Sequence, residues 1–120
     1  MEIHPISTSE IIFRSHIKTL FKKGKLPIKY GLYGGELTPK NVTDEHIVCR
    51  CFGGTNDISN IALATAENNN KRGNKPIDEF LTFGMIRKYF LQFKGLKANG
   101  FDGDDYIKKL KITLRSVLND

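Results

Sequence analysis

The spacing of apolar residues changes period along this chain, and that change limits the available folds more than any other feature. Phe13, Ile17, Leu20 and Phe21 recur at helical spacing, Phe83, Ile86, Phe90 and Phe93 do so again, and Ile107, Leu110, Leu114, Val117 and Leu118 make a third set. Between the first two sets lie two short runs of strand character, residues 42–48 and 60–64, separated by the turn-rich Gly53-Gly54-Thr55-Asn56-Asp57. Helices at both ends around a short hairpin make an α+β domain.

Local signals place the boundaries. The first helix is expected over residues 8–23, capped by Thr8 or Ser9 and stopped at Gly24. Pro27, Pro39 and three glycines make residues 25–40 a loop leading into the hairpin. Residues 66–71 have the composition of a short helix ended by Gly73. Pro76 then opens a helix expected over 76–93, with Asp78 and Glu79 in its first turn. A linker over 95–103 precedes a closing helix over 104–118. Tyr30, Tyr33, Phe83, Phe90 and Phe93 are expected in the core.

At 120 residues, with 39% hydrophobic and 27% charged, the chain has enough apolar mass for one core, which excludes a disordered or fibrous class. No apolar run approaches the roughly 18 residues that span a bilayer, and the N-terminal residues lack the order of a secretory signal, so a cytoplasmic protein with no membrane partner is expected. Nineteen Lys and Arg against thirteen Asp and Glu leave a net charge of +6, which favours a polyanionic partner. Cys49 and Cys51 have the spacing of neither a metal knuckle nor an ordinary loop-closing disulfide, and are expected as buried free thiols in a reducing compartment.

The residues able to do chemistry concentrate between Asp44 and Lys75. Glu45-His46 ends the first strand run, Gly53-Gly54 makes the turn, Asn60-Ile61 opens the second run, and Asn69-Asn70-Lys71-Arg72-Gly73 closes the short helix. In order and in every gap this resembles the HNH endonuclease family, with Arg72 standing where the family often has Lys. The resemblance covers directly about a quarter of the chain, and it implies a ββα-metal core over about residues 28–75 of a single domain. Many members of that family also carry a structural zinc on two cysteine pairs. The corresponding positions here are Tyr30 and Tyr33, then Thr65 and Asn68, so no structural zinc is expected, with aromatic packing of the tyrosines in its place.

The resemblance further implies a metal-dependent endonuclease that cuts DNA, with RNA as an open alternative substrate. His46 would be the general base that activates water, as its ordinary pKa near 6.5 permits, and Asn60 would orient its ring or brace the loop. Glu45 and Asn69 would hold one divalent ion, Mg²⁺ or Mn²⁺, because few ligands, all oxygen, leave room for water and a phosphate. Asp44 and Asn70 remain alternatives for these two ligands. Arg50, Lys71, Arg72 and Lys75 would contact flanking phosphates. A single site cuts one strand per event, so cutting both together would need a homodimer. The rival expectation is a catalytically silent module that keeps the fold to bind nucleic acid or dock a partner.

Overall fold

The first described helix ends where the sequence says it should. In the computed structural model, which describes residues 17–118, residues 17–22 are helical (α1), and the N–H groups of Gly24 and Lys25 bond back to Phe21 and Leu20. Ile17 and Leu20 are buried, while Lys22 and Lys23 face solvent. The expected start of this helix at Thr8 or Ser9 lies outside the described residues.

Residues 25–40 form the expected loop, closed by a single bridge between Tyr30 and Glu36. Leu26, Ile28, Leu32 and Leu37 point inward from it. The hairpin follows: β1 (Val42–His46) pairs antiparallel with β2 (Ile61–Thr65), in a register running from Val42 opposite Thr65 to His46 opposite Ile61. Next comes α2 (Ala66–Arg72), capped by the Thr65 hydroxyl, which accepts the Asn68 N–H at 3.1 Å.

All five residues of β2 are buried, and no strand among the described residues lies beside its second edge. An uncovered edge inside a core would leave backbone groups unsatisfied. Here the Leu63 carbonyl accepts from Leu32 N–H at 2.8 Å, the Leu63 N–H donates to the Tyr89 hydroxyl at 2.9 Å, and the Tyr106 hydroxyl donates to the Ile61 carbonyl at 2.8 Å. Two tyrosines therefore stand in for a third strand. Burial pushes both phenols well above their ordinary pKa, which keeps them protonated and able to bond.

The expected helix over 76–93 is in fact two elements. Ile77–Glu79 is a single 3-10 turn, the chain then extends, and α3 runs Phe83–Phe93. The break is local chemistry: Thr82 adopts extended dihedrals and its hydroxyl accepts the Met85 N–H at 3.2 Å, so it starts a helix rather than continuing one. The new phase leaves Phe83 68% exposed and buries Tyr89 and Phe93 instead, with Phe90 only partly covered. Tyr30, also expected in the core, is 52% exposed.

The 95–103 linker contains a small hairpin, β3 (Lys97–Ala98) with β4 (Phe101–Asp102), before α4 (Gly103–Leu118). Leu110 and Leu114 of α4 are buried as the periodicity indicates, whereas Ile107, Val117 and Leu118 are only partly covered and Tyr106, outside that set, is buried. Tyr106 and Phe93 lie 4.9 Å apart between ring centroids, with Tyr89 and Phe101 against them, so α3 and α4 form an aromatic wall behind β2. The architecture is α+β, with the hairpin and α2 at its centre.

Candidate functional site

Strand alternation sends neighbouring side chains to opposite faces, and β1 divides the acid-His pair accordingly. Thr43 and Glu45 share one face, Asp44 and His46 the other. The α2 helix covers the first. Asn69 and Arg72, three residues apart on α2, reach Thr43 and Glu45, two apart on β1: Asn69 Nδ2 donates to Thr43 Oγ1 at 3.0 Å and Arg72 Nη1 donates to Glu45 Oε2 at 3.2 Å.

Glu45 is only 4% exposed, and Oε2 also accepts the Tyr33 hydroxyl. Tyr33 thereby contributes more than the aromatic packing expected of it, although its ring does meet Phe80 edge-on with centroids 4.8 Å apart. Burial and the Glu45 charge together push the Tyr33 phenol far above its ordinary range, so it is a donor at every physiological pH.

Arg72 overturns one expectation. Expected at flanking phosphates, it is instead 5% exposed, and its donors are taken by Glu45, by the carbonyls of His46 at 2.7 Å and Ile47 at 3.4 Å, and by Lys75 carbonyl at 3.0 Å. A guanidinium whose fork satisfies a buried carboxylate and three carbonyls clamps the end of β1 to α2. Lys71, Lys75 and Arg50 are exposed and face solvent, with Lys71 Nζ 3.5 Å from Glu67 Oε2.

Asn60 takes the second of its two expected roles. Its Oδ1 accepts from Val48 N–H at 2.8 Å, and its Nδ2 donates to the carbonyls of Val48 at 3.1 Å and Thr55 at 2.9 Å. It braces the loop between the strands and makes no bond to His46. The residue that meets His46 is Asn56, whose Oδ1 lies 2.7 Å from Nε2. Sequence reasoning counted Asn56 only as a turn former.

The two cysteines also differ from expectation. Cys49 is the N-cap of a 3-10 turn, Arg50–Phe52, that brings the Cα atoms of Cys49 and Cys51 to 5.2 Å, and the pair forms a disulfide rather than two buried thiols. Cys51 is exposed. A tight turn achieves a geometry that two-residue spacing in a strand would not.

Of the alternatives for the ligands, Asn70 is exposed while Asn69 faces β1. Asp44 has a different environment from Glu45: Oδ2 is 3.8 Å from Lys18 Nζ, and Oδ1 is buried without a hydrogen-bond partner among the described residues. Burial raises its pKa, opposed by the charges of Lys18 and His46. A carboxyl raised in the folded state costs stability as pH climbs from its unfolded value, near 4, through the folded one. Asp44→Asn should therefore raise the melting temperature at pH 7, with the gain shrinking towards pH 4; a gain that grows towards pH 4 would contradict the burial argument.

At the four zinc-equivalent positions, Tyr33 bonds Glu45, Thr65 caps α2, Asn68 Nδ2 donates to Gly34 carbonyl at 3.3 Å, and the Tyr30 backbone is held by Gln92. Hydrogen bonds thus connect the loop to α2 and α3. For a divalent ion, Glu45 Oε1 and Asn69 Oδ1 accept no bond from a described residue and are oxygens of the kind Mg²⁺ or Mn²⁺ takes, although Arg72 already pairs with Glu45 Oε2. No group of three or more His, Cys, Asp or Glu able to hold a metal occurs among the described residues.

Comparison with protein-family models, with curated proteins and with solved structures gave no match to this chain. No described helix is long and apolar enough to cross a membrane.

Proposed function

We propose that the chain is a metal-dependent HNH endonuclease acting on DNA phosphodiester bonds. The observation that supports this reading is the contact of Asn69 with β1 at the Thr43 hydroxyl and the Asp44 carbonyl, which brings the helix asparagine beside the strand that ends in Glu45 and His46. Glu45 and Asn69 would hold the ion, and its chemistry is to offset negative charge developing on the phosphate and leaving oxygen. His46, half-buried at the strand end, takes the proton from the attacking water. Arg50, Lys71 and Lys75 supply exposed positive charge for the flanking backbone, and the net charge of +6 draws the polyanion in.

A second reading is favoured by Arg72, which already neutralises Glu45. In it the domain grips nucleic acid without turnover. Supercoiled plasmid separates the two. The nuclease should nick or linearise it with Mg²⁺ or Mn²⁺, stop with EDTA, and lose roughly 100-fold to 10,000-fold in rate on His46→Ala, with DNA binding retained. Salt-sensitive binding with no cleavage in either metal would establish the binding module instead.

A further inference from the structure

The bond between His46 and Asn56 fixes more than a ring orientation. Asn56 Oδ1 can only accept, so at 2.7 Å the hydrogen belongs to His46 Nε2. A neutral imidazole has one N–H, which leaves the lone pair on Nδ1. Nδ1 receives no bond from a described residue. We propose that Asn56 is the positioning residue that holds His46 in its Nε2–H tautomer and so makes Nδ1 the atom that takes the proton from water. The second half of this inference rests on the nuclease reading; the first does not.

The loop is built to hold Asn56 still. Its neighbour on one side, Thr55, gives its carbonyl to Asn60 at 2.9 Å. On the other side, Asp57 caps the Ile58–Asn60 turn by accepting the Ser59 N–H at 2.9 Å. Asn60 also grips Val48 through both N–H and carbonyl, so the two ends of the loop cannot slide apart. Asn60 therefore acts on His46 at one remove, by fixing the loop that carries Asn56. An amide is also the suitable partner: it accepts the hydrogen without adding a negative charge that would favour the protonated ring, in which Nδ1 could not act as a base.

The test is the tautomer itself, read by long-range ¹H–¹⁵N correlation on the full-length protein, with the His46→Gln spectrum identifying the His46 signals. Wild type should show the Nε2–H form. Asn56→Leu, which keeps the side-chain size and removes the acceptor, should give a mixture, whereas Asn56→Asp should retain the Nε2–H form. In plasmid nicking, Asn56→Leu should lower kcat roughly tenfold, the worth of one hydrogen bond, with KM unchanged. An Nδ1–H tautomer in wild type, or a tautomer indifferent to Asn56→Leu, would overturn the proposal. Wild type that shows the Asn56-dependent Nε2–H form but never cleaves with Mg²⁺ or Mn²⁺ upholds the tautomer assignment and removes the nuclease reading.

Discussion

Arg72→Ala should cost about 3–5 kcal/mol of folding stability, because it leaves the buried Glu45 carboxylate facing Tyr33 alone and strips three backbone carbonyls of their donor. For a domain of this size that is a large share of the whole, a fall of roughly 10 to 20 °C in melting temperature. The comparison that isolates the cause is the double variant Glu45→Gln, Arg72→Met. With both charges gone the desolvation penalty disappears, so the double variant should be more stable than Arg72→Ala alone. Arg72→Lys should fall between wild type and Arg72→Ala, since an ammonium keeps the charge but cannot reach Glu45, His46 and Lys75 carbonyls from one planar fork. Equal melting temperatures for wild type and Arg72→Ala would mean that the guanidinium is not the clamp described above.

Gly54→Ala should be nearly as damaging, for a steric reason. A Cβ at Gly54 would sit 1.7 Å from the Val48 carbonyl oxygen and 2.6 Å from its carbon, so backbone has to move. That movement breaks the Gly54 N–H bond to Cys49 carbonyl and pulls Val48 away from Asn60, whose buried amide then loses partners. Each buried polar group left unsatisfied costs about 1–3 kcal/mol, and at least two are at stake. Gly53→Ala is the control. Its φ of +88° disfavours a side chain, but an added Cβ there meets nothing within 4 Å, so the cost should be only about 1–2 kcal/mol. The same experiment reads out the site: Gly54→Ala should abolish the Asn56-dependent His46 tautomer, while Gly53→Ala largely preserves it. Comparable losses in the two alanine variants would show that the loop yields without disturbing Asn60.

Much of this arrangement is legible in the chain because its causes are local. The hairpin, the short helix behind it and the closing helix follow from hydrophobic period and from turn residues at fixed offsets, and each appears within a residue or two of its expected bounds. Thr82 is the instructive exception. The apolar spacing from Ile77 to Phe93 is compatible with one helix, and only the capping geometry of Thr82 divides it and turns Phe83 outward. The periodic stripe therefore pointed to the wrong phenylalanine and passed over Tyr89, the residue that satisfies β2.

The positions of the candidate residues were legible in part: Glu45 and His46 lie at the end of β1, Asn60 in the loop and Asn69 on α2, and Asn69 rather than Asn70 faces β1. Arg72 was misread because an arginine near a helix end is ordinarily solvated, and nothing within four residues shows that a buried carboxylate 27 positions earlier will meet it. Asn56 was missed because a turn asparagine and a tautomer-setting asparagine have the same sequence signature.

The sequence by itself determined the order of elements, their approximate ends and the α+β class, since these depend on a residue and its neighbours within a turn or two. The tertiary structure alone decided partnership: which cation neutralises Glu45, which amide meets His46, and which hydroxyls close the free edge of β2. The physical reason is that a buried polar group must find a partner wherever packing brings one, and the packing joins residues whose separation in the chain leaves no periodic trace.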